Sequence, residues 1–528
     1  MERLAGKIML LWGPRRWIVA FCAGGLGVLS QPPFDFFAVL FISFPVLVWL
    51  LDGASGDAEA GVLGRLAPSF WTGWWFGFGY FVAGLWWLGN ALLIEADEFA
   101  WALPLAVLGL PALLAVFYGL ATAIARLLWS DGLGRLFALA AAFGLAEWLR
   151  SFALTGFPWN AIGYGLMPVP VMMQASALVG LFGMSALAVF IFSVPALIAT
   201  RRGLVPAVAM AVLLVVAQIG FGVWRLGQPE PATGDDIVIR IVQPSVDQSQ
   251  KWDDAERRRI FETLLSLTGD PGPSERKPTH IVWPETSVPF LLTSNPEALS
   301  MIGDALDEGQ TLITGAVREE RDASGEATRY YNSIYVIDGS GQIAAAADKI
   351  HLVPFGEYLP FADLLQSIGL QTIASTPGTF SAGSRRHSVE VPGNRRFLPL
   401  ICYEIIFPAE LQVEGPPADF ILNVTNDAWY GRTPGPYQHF RQAQLRAVEL
   451  GMPLVRAANN GISAVTDAKG RVLDGMSQNV IGTVDIALPG KLHANWGGWT
   501  PNMGFWSIIA LLLAGALVSR YSFARTGN

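Results

Sequence analysis

The chain has 528 residues, with 52% hydrophobic types, only 15% charged types, 19 Trp and 31 Phe. Soluble globular proteins carry about 25% charged residues. The composition therefore excludes a plain cytosolic enzyme and a disordered chain, and 35 basic against 43 acidic residues, a net charge of −8, exclude a nucleic-acid binder. Two cysteines, Cys22 and Cys402, exclude a disulfide framework and any multi-cysteine metal site.

Two compositions share the chain. Residues 235–491 hold 22 Lys or Arg and 32 Asp or Glu, about 21%, as in an ordinary soluble domain. The other 271 residues hold 13 basic and 11 acidic, about 9%, which suits a lipid-embedded segment. Apolar runs of spanning length lie near 12–29, 35–51, 69–93, 101–128, 133–152, 175–200, 203–223 and 503–520. Pro45 is expected to kink the second. The first follows Arg15 and Arg16 like a secretory signal, but further spans come at once and it reads as a retained anchor.

Arginines and a lysine orient these spans. Arg3, Lys7, Arg15, Arg16, Arg65, Arg126, Arg135, Arg201, Arg202, Arg520 and Arg525 all fall on one side if there are eight spans, and the opposite loops carry Glu95, Asp97 and Glu98 or no charge. Both termini are then cytoplasmic and the soluble insert faces outward. The expected division is a membrane domain over 1–230 with about seven transmembrane helices, an extracytoplasmic domain over 235–490, and an eighth helix with a cytoplasmic tail over 500–528. The aromatic run Phe70–Asn90, with Gly73 and Gly77 four apart, reads as an interfacial belt plus close helix packing. A second aromatic cluster, GFPWN at Gly156–Asn160, lies on an outward loop and suits either lipid or an active site.

The insert reads as an α/β sandwich. Strand-like runs occupy Ile237–Gln243, Thr279–Glu285, Thr311–Val317, Tyr331–Asp338, Phe397–Glu404, Phe420–Asn426 and Gly461–Asp467. KWDDAERRRIFETLLSLT and YQHFRQAQLRAVELG show helical periodicity. Near-continuous apolar strands call for a sheet covered on both faces.

Cys402 ends the apolar strand FLPLIC, and YEIIFPAE after it can start a helix whose N-terminus favours thiolate. The bland alternative is a buried inert thiol. None of the five histidines, His280, His351, His387, His439 and His493, shows a diagnostic spacing to Cys402. A carboxylate can serve as base if burial raises its pKa. Glu285 closes the strand THIVWPE, where α/β folds collect active sites. Lys349 stands out because lysine is scarce, and a nearby lysine stabilises both thiolate and oxyanion. Taken singly, Glu285 and Lys349 read first as ordinary surface or loop residues, as most charged residues are.

Together they carry a resemblance. WPET with Glu285, DKIHLVPFGEYLP with Lys349 and LICYEIIFP with Cys402 stand in the order and spacing of the Glu–Lys–Cys triad of the nitrilase superfamily. With the membrane bundle before it, the chain resembles the bacterial apolipoprotein N-acyltransferase family, and YNS (Tyr331–Ser333), NDAWYG and RAANNGISAV add to the likeness. It departs at Met452, where Arg is expected, and at Thr425, where Ser is common. The resemblance implies an αββα sandwich on a multi-span helical membrane bundle in the inner membrane, with the catalytic domain periplasmic. It implies Glu285 as general base, Lys349 as charge stabiliser and Cys402 as nucleophile. Glu357 would hold Lys349 or share base duty, Tyr403 and Glu404 would line the acyl site, Trp252 would sit on a lid, and Gly156 and Trp159 would meet substrate from the membrane side. The implied reaction moves an acyl chain from a phospholipid, through a thioester on Cys402, to the amino-terminal S-diacylglyceryl-cysteine of an apolipoprotein, the last step of lipoprotein maturation. No metal or organic cofactor is expected, and a monomer is expected because the bundle obstructs nitrilase-type association. The alternative is a membrane-tethered amidase or nitrilase-type hydrolase, which shares the acylation chemistry. A transporter finds thin support in one mid-membrane carboxylate, Glu147.

Overall fold

The computed structural model describes residues 2–57, 59–229, 237–251, 253, 255–272, 276–360, 379–492 and 497–526. The chain divides into two compact units. One comprises Met1–Gly89, Ala102–Gln228 and Asn495–Asn528; the other comprises Asn90–Trp101 and Pro229–Ala494. Composition gave no sign that the short acidic segment Asn90–Trp101 joins the second unit.

The first unit is helical. Helix occupies each of the eight apolar stretches, and five are long and apolar enough to cross a membrane: Val62–Leu93, Ala96–Leu127, Ser176–Ala199, Leu204–Leu226 and Pro501–Ser522. The other three fall short for separate reasons. Gly13–Gly27 has 15 residues, Phe37–Asp52 is short, with Pro45 inside it, and Leu133–Arg150 carries Arg135, Glu147 and Arg150. The glycines of the aromatic run serve packing. A Cβ on Gly73 would stand 2.0 Å from Thr122 Oγ1 and 2.5 Å from the Tyr118 carbonyl, so only glycine lets these helices approach so closely. Glu147 is fully buried and satisfied: it accepts from the Tyr118 hydroxyl at 2.8 Å and the Ile162 amide at 3.0 Å, and pairs with Arg150 at 3.6 Å.

The second unit holds two six-stranded sheets. The first runs β12-β1-β2-β3-β4-β5, with β1 Val238–Gln243, β2 His280–Val282, β3 Thr311–Arg321, β4 Ala327–Asp338, β5 Ile343–Asp348 and β12 Gly482–Ala487. The second runs β11-β10-β9-β8-β7-β6, with β6 Val389–Val391, β7 Arg395–Ile401, β8 Phe420–Thr425, β9 Leu454–Ala458, β10 Ser463–Thr466 and β11 Val472–Met476. Each sheet centres on a parallel trio, β1-β2-β3 and β7-β8-β9, flanked by antiparallel strands.

Alternation builds the layers. Ile239, Ile241, Val282, Ile313 and Val336 of the first sheet face Phe397, Leu422, Val424 and Val455 of the second in one core. The alternate residues Ile281, Trp283, Leu312 and Ile337 pack outward against the helices Arg257–Gly269 and Pro296–Ala305. Burying both faces of the first sheet gives the near-continuous apolar strands read in the sequence. The helix Gly435–Leu450 packs beside β9. The second unit is an α/β sandwich of two sheets with helices outside them, and the first is a set of several apolar helices.

Candidate active site

Glu285 stands just beyond β2, the middle strand of its parallel trio. Its approach to β3 depends on Gly315. A Cβ there would lie 2.6 Å from both Glu285 Cα and the Pro284 carbonyl oxygen. Thr286, next in the chain, has a φ of 44°, an uncommon left-handed value for a β-branched residue. Lys349 follows β5 directly, and its amide donates to the Asn332 carbonyl on β4 at 2.8 Å. The lysine is 1% exposed. Its Nζ lies 2.9 Å from Glu357 Oε1 and 3.5 Å from Glu285 Oε1. Asn332 Nδ2 donates to the same two oxygens, at 2.8 Å to Glu285 and 2.9 Å to Glu357. The other oxygen of Glu357 accepts from the Val353 amide at 2.8 Å. Two carboxylates thus share one ammonium and one amide in a dry setting. Burial alone would lower the Lys349 pKa, but Glu357 and then Glu285 outweigh it and hold the ammonium well above its ordinary range.

Cys402 sits at the end of β7 with a φ of 51°. The helix expected after it is a five-residue 3-10 turn, Cys402–Ile406. Two β-branched isoleucines and Pro408 stop it, since a residue before proline avoids the α region. The expected stabilisation of thiolate by a helix N-terminus is therefore replaced by the opposite effect. Burial first, and Glu285 second, push the thiol up to about 12, with Lys349 pulling the other way. Cys402 rests as a neutral thiol whose charge, once formed, interacts with both Glu285 and Lys349.

Glu404 ties the two halves together. One oxygen accepts from the Ile401 amide at 2.8 Å, just before Cys402. The other accepts from the Ile350 amide at 2.9 Å, the His351 amide at 3.1 Å, both just after Lys349, and Arg386 Nη2 at 2.7 Å. Burial opposes its charge, but Arg386 and these amides hold the carboxyl below its ordinary range. All four bonds are internal, so Glu404 spaces the cysteine turn from the lysine segment. The buried Tyr403 ring packs 5.0 Å from Phe407 and 5.6 Å from His351.

Sequence reasoning missed a second support. His439 Nε2 faces the Cys402 carbonyl at 3.2 Å and its Nδ1 lies 2.8 Å from Asp427 Oδ1. Arg456 Nη2 donates to the other Asp427 oxygen at 2.8 Å. Burial works against the Asp427 charge, yet Arg456 and His439 bring its carboxyl down to about 2. Thr425, the residue where Ser is common, donates its hydroxyl to Asp427 at 3.1 Å. Lys251 was also missed. It is 4% exposed, and its Nζ donates to the Glu285 carbonyl oxygen at 3.3 Å. Burial lowers its pKa to about 8 against the pull of Glu285 and Cys402. The scarcity that singled out Lys349 applies equally to Lys251, one of six lysines.

The structure thus brings Glu285, Lys349, Glu357, Cys402, Tyr403 and Glu404 into the α/β unit. Trp252 and His493 lie outside the described residues. Gly156 and Trp159 belong to the helical unit. There Gly156 has a φ of 74°, and the buried Trp159 ring packs 5.1 Å from Trp87 at a tilt of 50° while its carbonyl accepts from Arg150 at 2.8 Å.

The chain is similar to known proteins along both of its parts. The model of the apolipoprotein N-acyltransferase N-terminal domain matches residues 23–194, and that of carbon-nitrogen hydrolase matches 240–496. A protein of Brucella suis biovar 1 named apolipoprotein N-acyltransferase is 56% identical over 532 residues, 99% of each chain. One of Allorhizobium ampelinum with the same name is 57% identical over 525 residues, 98% of each. Among solved structures, the NitN amidase from Neterenkonia sp. AN1 is 18% identical over 48% of this chain and 93% of its own, with a TM-score of 0.34. A membrane protein with a nitrilase-type α/β unit, this chain belongs to the apolipoprotein N-acyltransferase family of acyltransferases.

Proposed function

We propose that the chain transfers a fatty acyl group from a membrane phospholipid to the amino-terminal S-diacylglyceryl-cysteine of an apolipoprotein, in two half-reactions through a thioester on Cys402. The observation that carries this reading is the buried cluster at Lys349, where Glu285 and Glu357 lie 3.5 and 2.9 Å from one ammonium whose charge also interacts with the Cys402 thiol.

As the donor ester arrives, Glu285 takes the thiol proton and the sulfur attacks the carbonyl carbon. Lys349 stabilises the oxyanion that forms. The tetrahedral intermediate collapses, the C–O ester bond breaks, and Glu285 returns the proton to the leaving oxygen. Lysophospholipid departs and the acyl chain stays on sulfur. The neutral α-amine of the acceptor then attacks the thioester, Glu285 accepts its proton, the C–S bond breaks, and the thiolate recovers the proton. An amide is formed. Glu357 and Asn332 keep Lys349 and Glu285 in register, and Glu404 holds the Cys402 turn at its distance. A thiol that rests neutral keeps the nucleophile inert until an ester carbonyl is in place.

The helical unit fits lipid-borne substrates, whose reacting groups lie near the headgroup plane and are found by a two-dimensional search. The arginine distribution favours counting the three shorter or more charged apolar helices with the five long ones as spans of the inner membrane, which puts both termini in the cytoplasm and the α/β unit in the periplasm.

The test separates the half-reactions. With phospholipid vesicles alone, the enzyme releases one equivalent of lysophospholipid and stops. Adding a diacylglyceryl-cysteine peptide restarts release and yields the acylated amine. Continuous release of free fatty acid without any acceptor contradicts the transfer reading and favours the hydrolase.

A further inference from the structure

The helical unit carries a group of charges that the acyl-transfer reading leaves unused. Four helix ends meet there. Asp52 closes Phe37–Asp52, Arg126 lies in the last turn of Leu110–Leu127, Arg135 in the first turn of Leu133–Arg150, and Arg520 near the end of Pro501–Thr526. The two carboxylates present are already committed. Asp52 accepts from Arg135 at 2.6 Å and from Trp129 Nε1 at 3.0 Å. Asp131 accepts from Arg202 at 2.7 Å and from the Gly132 amide at 2.8 Å. Arg126 and Arg520 reach only backbone carbonyls, those of Leu51 and Leu127. Neither has an acidic partner among the described residues.

Arg126, Arg135, Arg520 and Ser130 line a cavity of about 390 Å³, with Asp52 and Asp131 at its wall. Ser130 is 7% exposed and Arg135 4%. Ser130 Oγ and Arg135 Nε have no hydrogen-bond partner. Leaving a buried donor unmet is costly, and such groups in native structures point to an absent ligand or solvent. Every free group here can donate, and two of the cations are unpaired. Guanidinium groups match the oxygen pairs of phosphate, and basic pockets between transmembrane helices suit phospholipid headgroups.

We propose that this cavity is a binding site for a phosphate group, carried by an anionic phospholipid or present as the free ion. It completes the hydrogen bonding of Ser130 and Arg135, neutralises Arg126 and Arg520, and clamps four helix ends together. The site shares no residue with the acyl-transfer machinery and does not rest on that reading.

Thermal unfolding of the delipidated full chain in neutral detergent tests it. Phosphatidylglycerol and inorganic phosphate are titrated separately at matched ionic strength. A ligand that binds only the folded state raises the midpoint, here by about 5 °C at saturation. Arg126→Gln should weaken the response at least tenfold in ligand concentration, and the milder Ser130→Ala severalfold, while acyl transfer persists in both. A variant-sensitive rise with the lipid alone identifies a headgroup site; one with inorganic phosphate identifies the free ion. A rise that survives both variants, or no rise with either ligand, overturns the proposal.

Discussion

Glu404→Gln is the substitution on which the spacing of cysteine and lysine depends most directly. The Glu404 carboxylate accepts four hydrogen bonds, from the Ile401, Ile350 and His351 amides and Arg386. Glutamine keeps the shape but has one acceptor oxygen. Whichever way the amide turns, its NH2 faces a donor, either the Ile401 amide or the other three groups. At least one charge-assisted bond, worth about 1.5–3 kcal/mol, is lost. Arg386, only 8% exposed, also loses its counter-charge. Breaking a buried pair costs about 3–5 kcal/mol, so the unfolding midpoint should fall on the order of 10 °C. Because the Glu404 pKa is depressed, its contribution is present above the ordinary carboxylate range and is lost as pH falls through the lowered value. The gap between wild type and variant should therefore close in acid. Pre-steady-state acylation on vesicles reads the other half: the rate of acyl-enzyme formation falls while the phospholipid concentration for half-saturation moves little. A variant of wild-type stability that only changes acyl-chain preference would refute the spacing role and return Glu404 to the substrate wall.

Other perturbations act through different physics. Lys251→Met should stabilise the fold, by up to about 3 kcal/mol at neutral pH, because it removes a buried ammonium whose pKa is lowered to about 8; the gain fades as pH rises through that value toward the unfolded one. The same variant should slow acylation, since Lys251 no longer braces the Glu285 carbonyl, and a loss of both stability and activity would contradict this. Asp427→Asn should cost about 2 kcal/mol near neutral pH, a difference present above about pH 4 and lost as pH falls toward about 2, as measured by unfolding across pH. Gly315→Ala drives a Cβ into the Glu285 backbone and should reduce acylation at least tenfold; a fully active variant would show that this approach is not needed. Lys349→Met should reduce acylation by about 100-fold or more, the scale for losing an oxyanion donor, as read by single-turnover release of lysophospholipid.

Much of this was legible because period-2 apolar alternation and twenty-residue apolar runs report burial directly. The seven strands read in the insert all exist. Five more went unread, and their sequences explain why. Ile343–Asp348 is mostly alanine, a helix former, and it becomes a strand only by pairing with Tyr335 and its neighbours on β4. Val389–Val391 is three residues long. The helix after Cys402 failed because Pro408 ends it within a turn. In the site, Glu285 and Cys402 were visible at strand ends and Lys349 by its scarcity, whereas the groups that position them come from afar in the chain. His439 reaches the Cys402 carbonyl across 37 residues, Asn332 reaches Glu285 across 47, and Arg386 reaches Glu404 across 18. Such contacts arise from strand order, which a local pattern does not encode. Scarcity pointed to Lys349, yet the buried Lys251 passed unnoticed because it precedes a charged helix and reads as a solvated residue.

The thioester on Cys402 is the claim from which the rest of the chemistry follows. Intact-protein mass spectrometry of the detergent-purified chain, incubated with phospholipid and without acceptor, tests it most directly. The account predicts an added mass of one fatty acyl group, removed by neutral hydroxylamine and absent in Cys402→Ser, which still inserts in the membrane. An acyl adduct that persists in Cys402→Ser, or no adduct while fatty acid accumulates, would contradict it.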